Sequence, residues 1–262
     1  MRDVSSFSHY KNLILHKAYA DFRSEAERTY LGVAWWVLEP LIDLCIYYLV
    51  FAVFLKRGGE DYIPFLICGL VSWRYLNTAV LRGANSIILN VAMVRQIALK
   101  KIIFPFVAVM TCSFEFVFSL ALLFVMLWLY DYQVTVYCWA FPLILFVELL
   151  LIMGLALPLS ALVPFMPDLS KFLAYIFRIG FYMSGILYSI YHLPESAKAF
   201  LPILTLNPAV PIVYGYRNVL IYEQWPDFQA LGIVAGLSVA GIGLGVYLIT
   251  RFDQDFAKRI TR

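Results

Sequence analysis

The stretch Leu66–Pro105, LICGLVSWRYLNTAVLRGANSIILNVAMVRQIALKKIIFP, decides how this chain folds. It begins as an apolar segment, passes through a helix-compatible patch that carries Arg95, Lys100 and Lys101, and becomes apolar again after Pro105. In a soluble protein this patch would be one more solvated helix. Between two membrane spans it would be a short basic element at one face of a bilayer. The composition of the chain decides between these two interpretations.

The composition favours the membrane. Of the 262 residues, 63% are hydrophobic and 14% are charged, and the mean hydropathy is +0.81. Soluble domains are roughly 45–50% apolar and about 25% charged. The net charge of +3 is small, and no basic tract alternates with aromatic residues as a nucleic-acid groove requires. The sequence therefore predicts an integral membrane protein whose surroundings are membrane lipids and not nucleic acid.

Six stretches have the length and composition of membrane spans. A hydrocarbon core about 30 Å thick requires around 20 helical residues. The stretches are approximately Val33–Leu55, Tyr62–Arg82, Ile103–Leu129, Tyr137–Val163, Phe172–Tyr191 and Phe228–Thr250. The predicted fold class is thus all-α, with a domain of six transmembrane helices over residues 30–262.

Residues 5–29 have the pattern of an amphipathic helix that lies at the membrane interface. At about 100° per residue one side is apolar and the other polar. The apolar side carries Phe7, Ile14, Leu15, Ala18 and Phe22, and the polar side Asn12, His16, Lys17, Arg23, Glu27 and Arg28. Lys11 falls inside the apolar stripe and would have to extend out of it. A loosely ordered cytoplasmic tail remains the alternative for this unit, residues 1–29.

The basic residues predict the orientation. Thirteen of the 20 Lys and Arg residues fall in the N-terminus, the loop around Arg95, the loop at Lys171 and the C-terminus, and four fall in the opposite loops. An excess of Lys and Arg marks the cytoplasmic side of a membrane protein. We therefore expect both termini and the Arg95 patch in the cytoplasm.

The segment His192–Asp227 fits neither a span nor a free loop. It contains five prolines, yet 200–206 and 210–219 remain apolar. Short half-helices that re-enter the outer leaflet would satisfy both features if other parts of the protein cover their irregular backbone. The sequence therefore predicts re-entrant gate helices between spans five and six.

Ionisable residues inside the spans are costly in hydrocarbon and should face a partner or water. From their distances to the span ends, we predict an ion pair Asp43–Arg74 or Glu39–Arg82 between spans one and two. Such pairs could fix helix packing only, or they could form the polar wall of a conduit. Both interpretations stay open.

Aromatic residues recur inside two spans. They are Tyr47, Phe51 and Phe54 in span one, and Tyr175, Phe181, Tyr182 and Tyr188 in span five. Packing against lipid or core is one explanation for each ring. The other is a path for a polysaccharide, because a sugar presents apolar C–H faces to an aromatic ring while its hydroxyls take hydrogen bonds. In span six, the pairs Gly232/Gly236 and Gly241/Gly245 would permit close helix approach.

The sequence lacks the motifs of a nucleotide or metal site. It contains no GxxxxGK[ST] loop, no HExxH and no zinc-spaced Cys/His set. We therefore expect no metal and no cofactor in this chain. Energy for any transport would have to come from another subunit.

Several segments, taken together and in order, resemble one family. They are LGVAWWVLEP (31–40), GLVSWRYLNTAVLRGANSIILN (69–90), KKIIFP (100–105), DLSKFLAYIFRIGFYMSGILYSI (168–190) and LNPAVPIVYGYRNVLI (206–221). This combination resembles the ABC-2 type permeases that export bacterial polysaccharides, such as the transmembrane subunit of O-antigen transporters. The chain departs from the pattern at Pro167 and Gly185, where a basic residue and a proline would be expected.

The resemblance implies a homodimer in the bacterial inner membrane, served by two copies of a separate ABC ATPase that binds ATP and Mg²⁺. The substrate would be a lipid-linked polysaccharide, O-antigen first. The alternatives are a capsule or teichoic-acid exporter, a small-molecule exporter of the same superfamily and, more remotely, an integral membrane glycosyl- or acyltransferase.

The resemblance also assigns residues to roles. The ATPase would contact 5–29 and the coupling helix region, with Asn85, Asn90, Arg95, Lys100 and Lys101 as its residues. Arg23, Arg28 and Arg178 would lie near the lipid pyrophosphate, and Tyr214, Tyr216 and Arg217 would belong to the outer gate.

Overall fold

In a computed structural model of the chain, residues 7–56, 59, 61–96, 100–192 and 199–253 are described. All regular secondary structure in these residues is helical, as predicted. The α-helices are α1 Phe7–Glu27, α2 Trp35–Tyr48, α3 Tyr62–Leu89, α4 Val91–Gln96, α5 Ile103–Leu129, α6 Phe141–Leu162, α7 Asp168–Met183, α8 Leu201–Thr205, α9 Ala209–Leu220 and α10 Phe228–Arg251. A 3₁₀ turn at Gly32–Ala34 and a π-helical turn at Leu49–Phe54 extend α2, and the 3₁₀ turns Val136–Ala140 and Ile190–His192 complete the set.

Five helical segments in the described residues are long and apolar enough to cross a membrane. They are Gly32–Phe54, Tyr62–Leu89, Ile103–Leu129, Val136–Leu162 and Phe228–Arg251. These match five of the six predicted spans, except that α3 continues beyond Arg82 to Leu89. The chain is therefore a multi-pass membrane protein.

The helix at the fifth predicted span, Phe172–Tyr191, differs from the prediction at both ends. α7 begins at Asp168 and ends at Met183, so its 16 residues extend only ~24 Å, less than a ~30 Å hydrocarbon core. Gly185 then adopts a left-handed conformation with φ of +67°, which glycine reaches without a Cβ clash. The helix stops there because this turn breaks the hydrogen-bond pattern that would continue it.

α3 is the centre of the bundle, with neighbours on several sides. It packs against α5, α6, α9, α2 and α7, and Leu66, Ile67, Val71, Ala79 and Ile87 have no exposed surface. A buried carboxyl joins the same core, because Glu148 of α6 accepts hydrogen bonds from Ser72 (3.0 Å) and Tyr216 (2.5 Å). Hydroxyl donors from α3 and α9 thus compensate for its removal from water.

Close packing joins α10 to α6 through small residues. A Cβ added at Gly241 would lie 2.5 Å from the carbonyl oxygen of Gly154, and one at Gly245 would lie 2.4 Å from Leu157 Cβ. A Cβ at Gly232 or Gly236 would meet nothing within 4 Å. Of the two predicted glycine pairs, therefore, only the second lies at this helix contact.

α1 packs against the N-terminal half of α5. Ala18 is fully buried against Ile103 and Val107, and Phe22 stacks on Trp36 with ring centroids 4.7 Å apart. The helix that was predicted over 5–29 is present from Phe7 to Glu27. Residues 1–6 of that unit lie outside the described residues.

Two short helices, α8 and α9, lie in the segment for which half-helices were predicted, and 193–198 lies outside the described residues. α4 covers the first part of the basic patch, and 97–99 lies outside as well. Arg2, Arg57, Lys198 and the basic residues after 253, which entered the prediction of orientation, also lie outside the description.

Candidate functional site

A groove of about 500 Å³ lies between α2, α3 and α7. Charged, amide and aromatic side chains line it together. Its lining residues are Asp43, Tyr47, Leu70, Trp73, Arg74, Asn77, Thr78, Leu81, Ala174, Phe177, Arg178, Phe181 and Tyr182. We call it the polar groove.

The ion pair on the wall of the polar groove joins α2 to α3. Arg74 Nη1 lies 3.2 Å from Asp43 Oδ2, and Arg74 also contacts Glu39. The structure thus brings together Asp43 and Arg74, while Glu39 lies with Arg74 and not with Arg82. Because these side chains are one-third to one-half exposed, the pair contributes modestly to stability. Its charge and donors remain accessible from the groove.

Asn77 adds an acceptor to the same wall. It lies four residues, about one helical turn, after Trp73, so both side chains are on one face of α3. Its Oδ1 is buried and has no hydrogen-bond partner among the described residues. Buried polar atoms are almost always paired, so this oxygen is an unused acceptor beside the groove.

Aromatic rings form another part of the lining of the polar groove. Tyr47 of α2 lies 5.2 Å from Phe181 of α7, and Trp73 lies 5.9 Å from Phe177 and 6.1 Å from Phe181, centroid to centroid. Tyr182 is half exposed at the edge of this cluster. Three of the seven predicted aromatic path residues, Tyr47, Phe181 and Tyr182, therefore line the groove.

The other four predicted aromatics lie outside the groove lining. Tyr175 is exposed and lies beside Arg178, with 5.6 Å from the guanidinium to its ring centroid. Tyr188 donates a hydrogen bond to the carbonyl of Tyr182 at 2.9 Å. Phe51 and Phe54 lie in the π-helical turn that follows α2.

A second arginine forms a separate network. Arg82 Nη1 lies 2.9 Å from Glu25 Oε2 and 2.5 Å from Glu115 Oε1. One cation on α3 thus bridges the N-terminal helix α1 and span α5. A cavity of about 110 Å³, lined by both Arg74 and Arg82, lies next to the two networks.

The candidate lipid-pyrophosphate residues do not come together. Arg178 lines the polar groove. Arg23 is on α1 and pairs with Glu27 at 2.7 Å, and Arg28 is exposed just after α1.

The candidate coupling residues surround α4. Asn85 and Asn90 donate to the carbonyls of Leu81 and Ser86 on their own helix. Lys101 lies 2.8 Å from Asp253 Oδ1, at the end of α10, and Lys100 is exposed. Arg95 is in α4, but its side chain lies outside the description.

The candidate gate residues are buried and fix helices to one another. Arg217 has no exposed surface and donates to the carbonyls of Phe65 (3.2 Å), Gly185 (2.8 Å) and Ile186 (2.9 Å). Tyr214 accepts a hydrogen bond from the Ile190 amide at 2.7 Å. Tyr216 is the partner of Glu148. Together these contacts attach α9 to the start of α3, to α6 and to the turn after α7.

Sequence reasoning missed Trp73, Phe177 and Asn77. The sequence carried a signal for Trp73 and Asn77. Both lie in α3 close to Arg74, Trp73 directly before it and Asn77 one turn after Trp73. Phe177 lies one turn from Phe181 on α7 and carries the same periodicity. In the described residues, no group of three or more His, Cys, Asp and Glu side chains could hold a metal ion.

The chain is similar to known proteins over nearly its whole length. No protein-family model matches the chain. The O-antigen export system permease protein RfbA of Myxococcus xanthus is 24% identical over 261 residues, which are 99% of this chain and 100% of that protein. A protein of the same name from Klebsiella pneumoniae is 26% identical over 240 residues, 89% of this chain and 91% of its own length.

The predicted resemblance to O-antigen export permeases is confirmed. The matched region covers 99% of the chain in the Myxococcus xanthus comparison, so it extends from α1 to α10.

Proposed function

We propose that this chain is the transmembrane permease subunit of an ATP-driven exporter of lipid-linked polysaccharide, with O-antigen as the substrate class. One observation carries the proposal. In a chain similar to O-antigen export permeases over nearly its full length, a groove between three helices combines aromatic rings with an ion pair and an unpartnered amide oxygen.

The chemistry of the polar groove suits a sugar chain. The ring faces of Tyr47 and the half-exposed Tyr182 would stack on the C–H faces of a pyranose, with the buried Trp73 and Phe181 packed behind them. Asn77 Oδ1 would accept a hydrogen bond from a sugar hydroxyl. The guanidinium of Arg74 would donate to sugar oxygens while Asp43 balances its charge. Stacking and single hydrogen bonds are individually weak, so a polymer could move past these groups without being held.

The active unit would contain two copies of the chain and six spans in each. The edge formed by α2 and α7 is poorly covered, with large apolar residues exposed at Ile42, Ile46, Phe172, Ile176 and Ile179. A second copy against this edge would close the polar groove into a conduit. α7 and the turn that follows it would be the additional crossing, and α8 and α9 would re-enter the outer leaflet as the gate.

A separate ABC ATPase would supply the energy from the cytoplasmic side of the inner membrane, where both termini would lie. Its ATP-driven movement would act on α1 and on the Arg95–Lys101 region. The Arg82 network supports this role for α1, because it connects Glu25 on α1 directly to α3 and α5.

The test is co-expression with candidate ABC ATPases, followed by co-purification and detection of polymer at the cell surface. The coupling variant Arg95→Glu should abolish both readouts. Lys101 stays unchanged because it contacts Asp253 within the chain. Lys171→Glu, an exposed cation at the start of α7, serves as the control. Surface polymer without any ATPase, or an unaffected coupling variant, would refute the proposal.

A further inference from the structure

A second large cavity, about 450 Å³, lies between α1 and the beginning of α5. Its walls are apolar side chains: Ile14 and Leu15 from α1, and Ile103, Phe106 and Met110 from α5. Water requires polar partners, and an apolar cavity of this size provides none. At the surface of a membrane protein, a hydrocarbon chain is the molecule that fills such a space. We call this cavity the α1–α5 groove.

Two lysines line one end of the α1–α5 groove. Lys11 and Lys100 are both exposed, and Lys100 Nζ lies 5.4 Å from the ring centroid of Tyr10. Among the described residues neither ammonium group has a carboxylate within 4.0 Å, whereas the nearby Lys17 lies 3.0 Å from Asp21. Two unneutralised cations beside an apolar cleft are complementary to one anionic group that carries a hydrocarbon chain.

The order of these residues along α5 matches the polarity of a phospholipid. α5 has 27 residues and is therefore ~40 Å long. A bilayer with both headgroup layers is about 40–45 Å thick, so the two ends of α5 lie among the headgroups. Met110 lies ~10 Å along the helix from Ile103 and thus within the hydrocarbon, whereas Lys100, just before the helix, lies at the depth of the headgroups.

We propose that the α1–α5 groove binds an anionic phospholipid. One acyl chain lies between α1 and α5, and the headgroup phosphate contacts the ammonium groups of Lys11 and Lys100. The lipid attaches α1 to the bilayer at the end of the helix that is farthest from its Phe22 and Glu25 contacts. This inference requires only that the chain lies in a membrane, so it is independent of the proposed transport function.

Native mass spectrometry of the purified full-length chain tests the proposal. The chain is incubated with equal amounts of phosphatidylglycerol and phosphatidylcholine, and the retained lipid is counted. Each lysine near a membrane surface favours an anionic lipid by a factor of ~5, so Lys11→Gln with Lys100→Gln should reduce the preference for phosphatidylglycerol roughly 30-fold. No preference in the unmodified chain, or an equal preference in the double variant, would overturn the proposal.

Two matched variants separate the headgroup from the acyl chain. Lys17→Gln removes a cation from the same helix outside the α1–α5 groove and should leave the preference unchanged. Ile14→Trp fills the groove and should reduce the retention of both lipids. Undecaprenyl phosphate forms the last arm. If it displaces phosphatidylglycerol completely in a manner that depends on Lys11 and Lys100, the groove belongs to the polyprenyl carrier and the phospholipid assignment is wrong.

Discussion

Two sides of the bundle differ in how firmly they are packed. In the most apolar part of α3, 72% of the residues are buried inside the chain, compared with 11% in Gly32–Phe54. On the α3 side, buried hydrogen bonds join α3, α6 and α9, and close glycine contacts join α6 to α10. The α2–α7 side carries the polar groove and is joined to α3 by partly exposed ion pairs and rings. Stability thus resides on one side and the candidate transport surface on the other.

The largest effect is expected at Arg217, on the packed side. Arg217→Ala removes the donor from the carbonyl oxygens of Gly185 and Ile186, in the turn after α7, at about 1–3 kcal/mol each. The carbonyl of Phe65 keeps its donor within α3. The substitution should abolish or strongly reduce folded protein. Arg217→Lys should also be destabilising, because an ammonium group lacks the planar fork of donors. Thermal unfolding in detergent measures both variants. Arg251→Ala, at an exposed residue, is the control. Equal melting temperatures for Arg217→Ala and Arg251→Ala would contradict the conclusion that stability resides on the α3 side of the bundle.

The glycine contacts between α6 and α10 should give the next largest effect. Gly241→Ala or Gly245→Ala forces a methyl group against α6 and should destabilise by about 1–3 kcal/mol. Gly236→Ala adds the same methyl group where nothing lies within 4 Å, so it should be neutral or slightly stabilising. The same unfolding measurement applies. A similar loss of stability in all three variants would show that the close packing of Gly241 and Gly245 against α6 does not cause the destabilisation.

On the α2–α7 side, changes should affect export more than folding. Tyr47→Ala removes one stacking ring of the polar groove, worth about 0.5–1.5 kcal/mol, and should lower polymer export roughly 2–10-fold with unchanged yield of folded protein. Tyr48→Ala removes an exposed ring at the adjacent position and should leave export unchanged. Equal export by the two variants would argue against the groove as the path.

The smallest effect on stability is expected at the Asp43–Arg74 pair, about 0.2–1 kcal/mol because the side chains are partly exposed. Export offers a sharper measurement. The double variant Asp43→Arg with Arg74→Asp exchanges the two charges. It should not restore export, because the carboxylate at position 74 would face Glu39. Adding Glu39→Gln should restore it. Rescue without that third change would mean that Glu39 is not a working partner of Arg74.

The sequence was sufficient for the helices and for part of the site. Length and apolar composition predict five of the spans with ends close to those observed, apart from the end of α3, which continues to Leu89. The thickness and the apolar interior of a membrane constrain both the length and the composition of a span. The same reasoning failed at α7, where the left-handed Gly185 and the Arg217 contacts end the helix early. A glycine after a helix is a local signal for such a turn, but Arg217 lies about thirty residues further along the chain. No local pattern predicts that its side chain reaches this turn.

Pairings between helices were predicted less well than positions along them. Depth along the spans suggested both Asp43–Arg74 and Glu39–Arg82, but it contains no information on rotation about a helix axis. Rotation decides that Glu39 lies with Arg74 and that Arg82 lies with Glu25 and Glu115. The same gap explains why Tyr216 and Arg217, prominent in the sequence, are buried among α3, α6 and α9.

The hydrogen bonds of Arg217 all end on main-chain oxygens, and its guanidinium also lies 3.4 Å from the ring centroid of Phe65. Such oxygens are present whatever side chain occupies a position, so no side chain introduced at Phe65 or Ile186 could replace the donors once Arg217 is lost. A saturation library should therefore be restrictive at Arg217. It should accept only aromatic replacements at Phe65 and apolar replacements of similar size at the fully buried Ile186, because these keep both the acceptors and the packing.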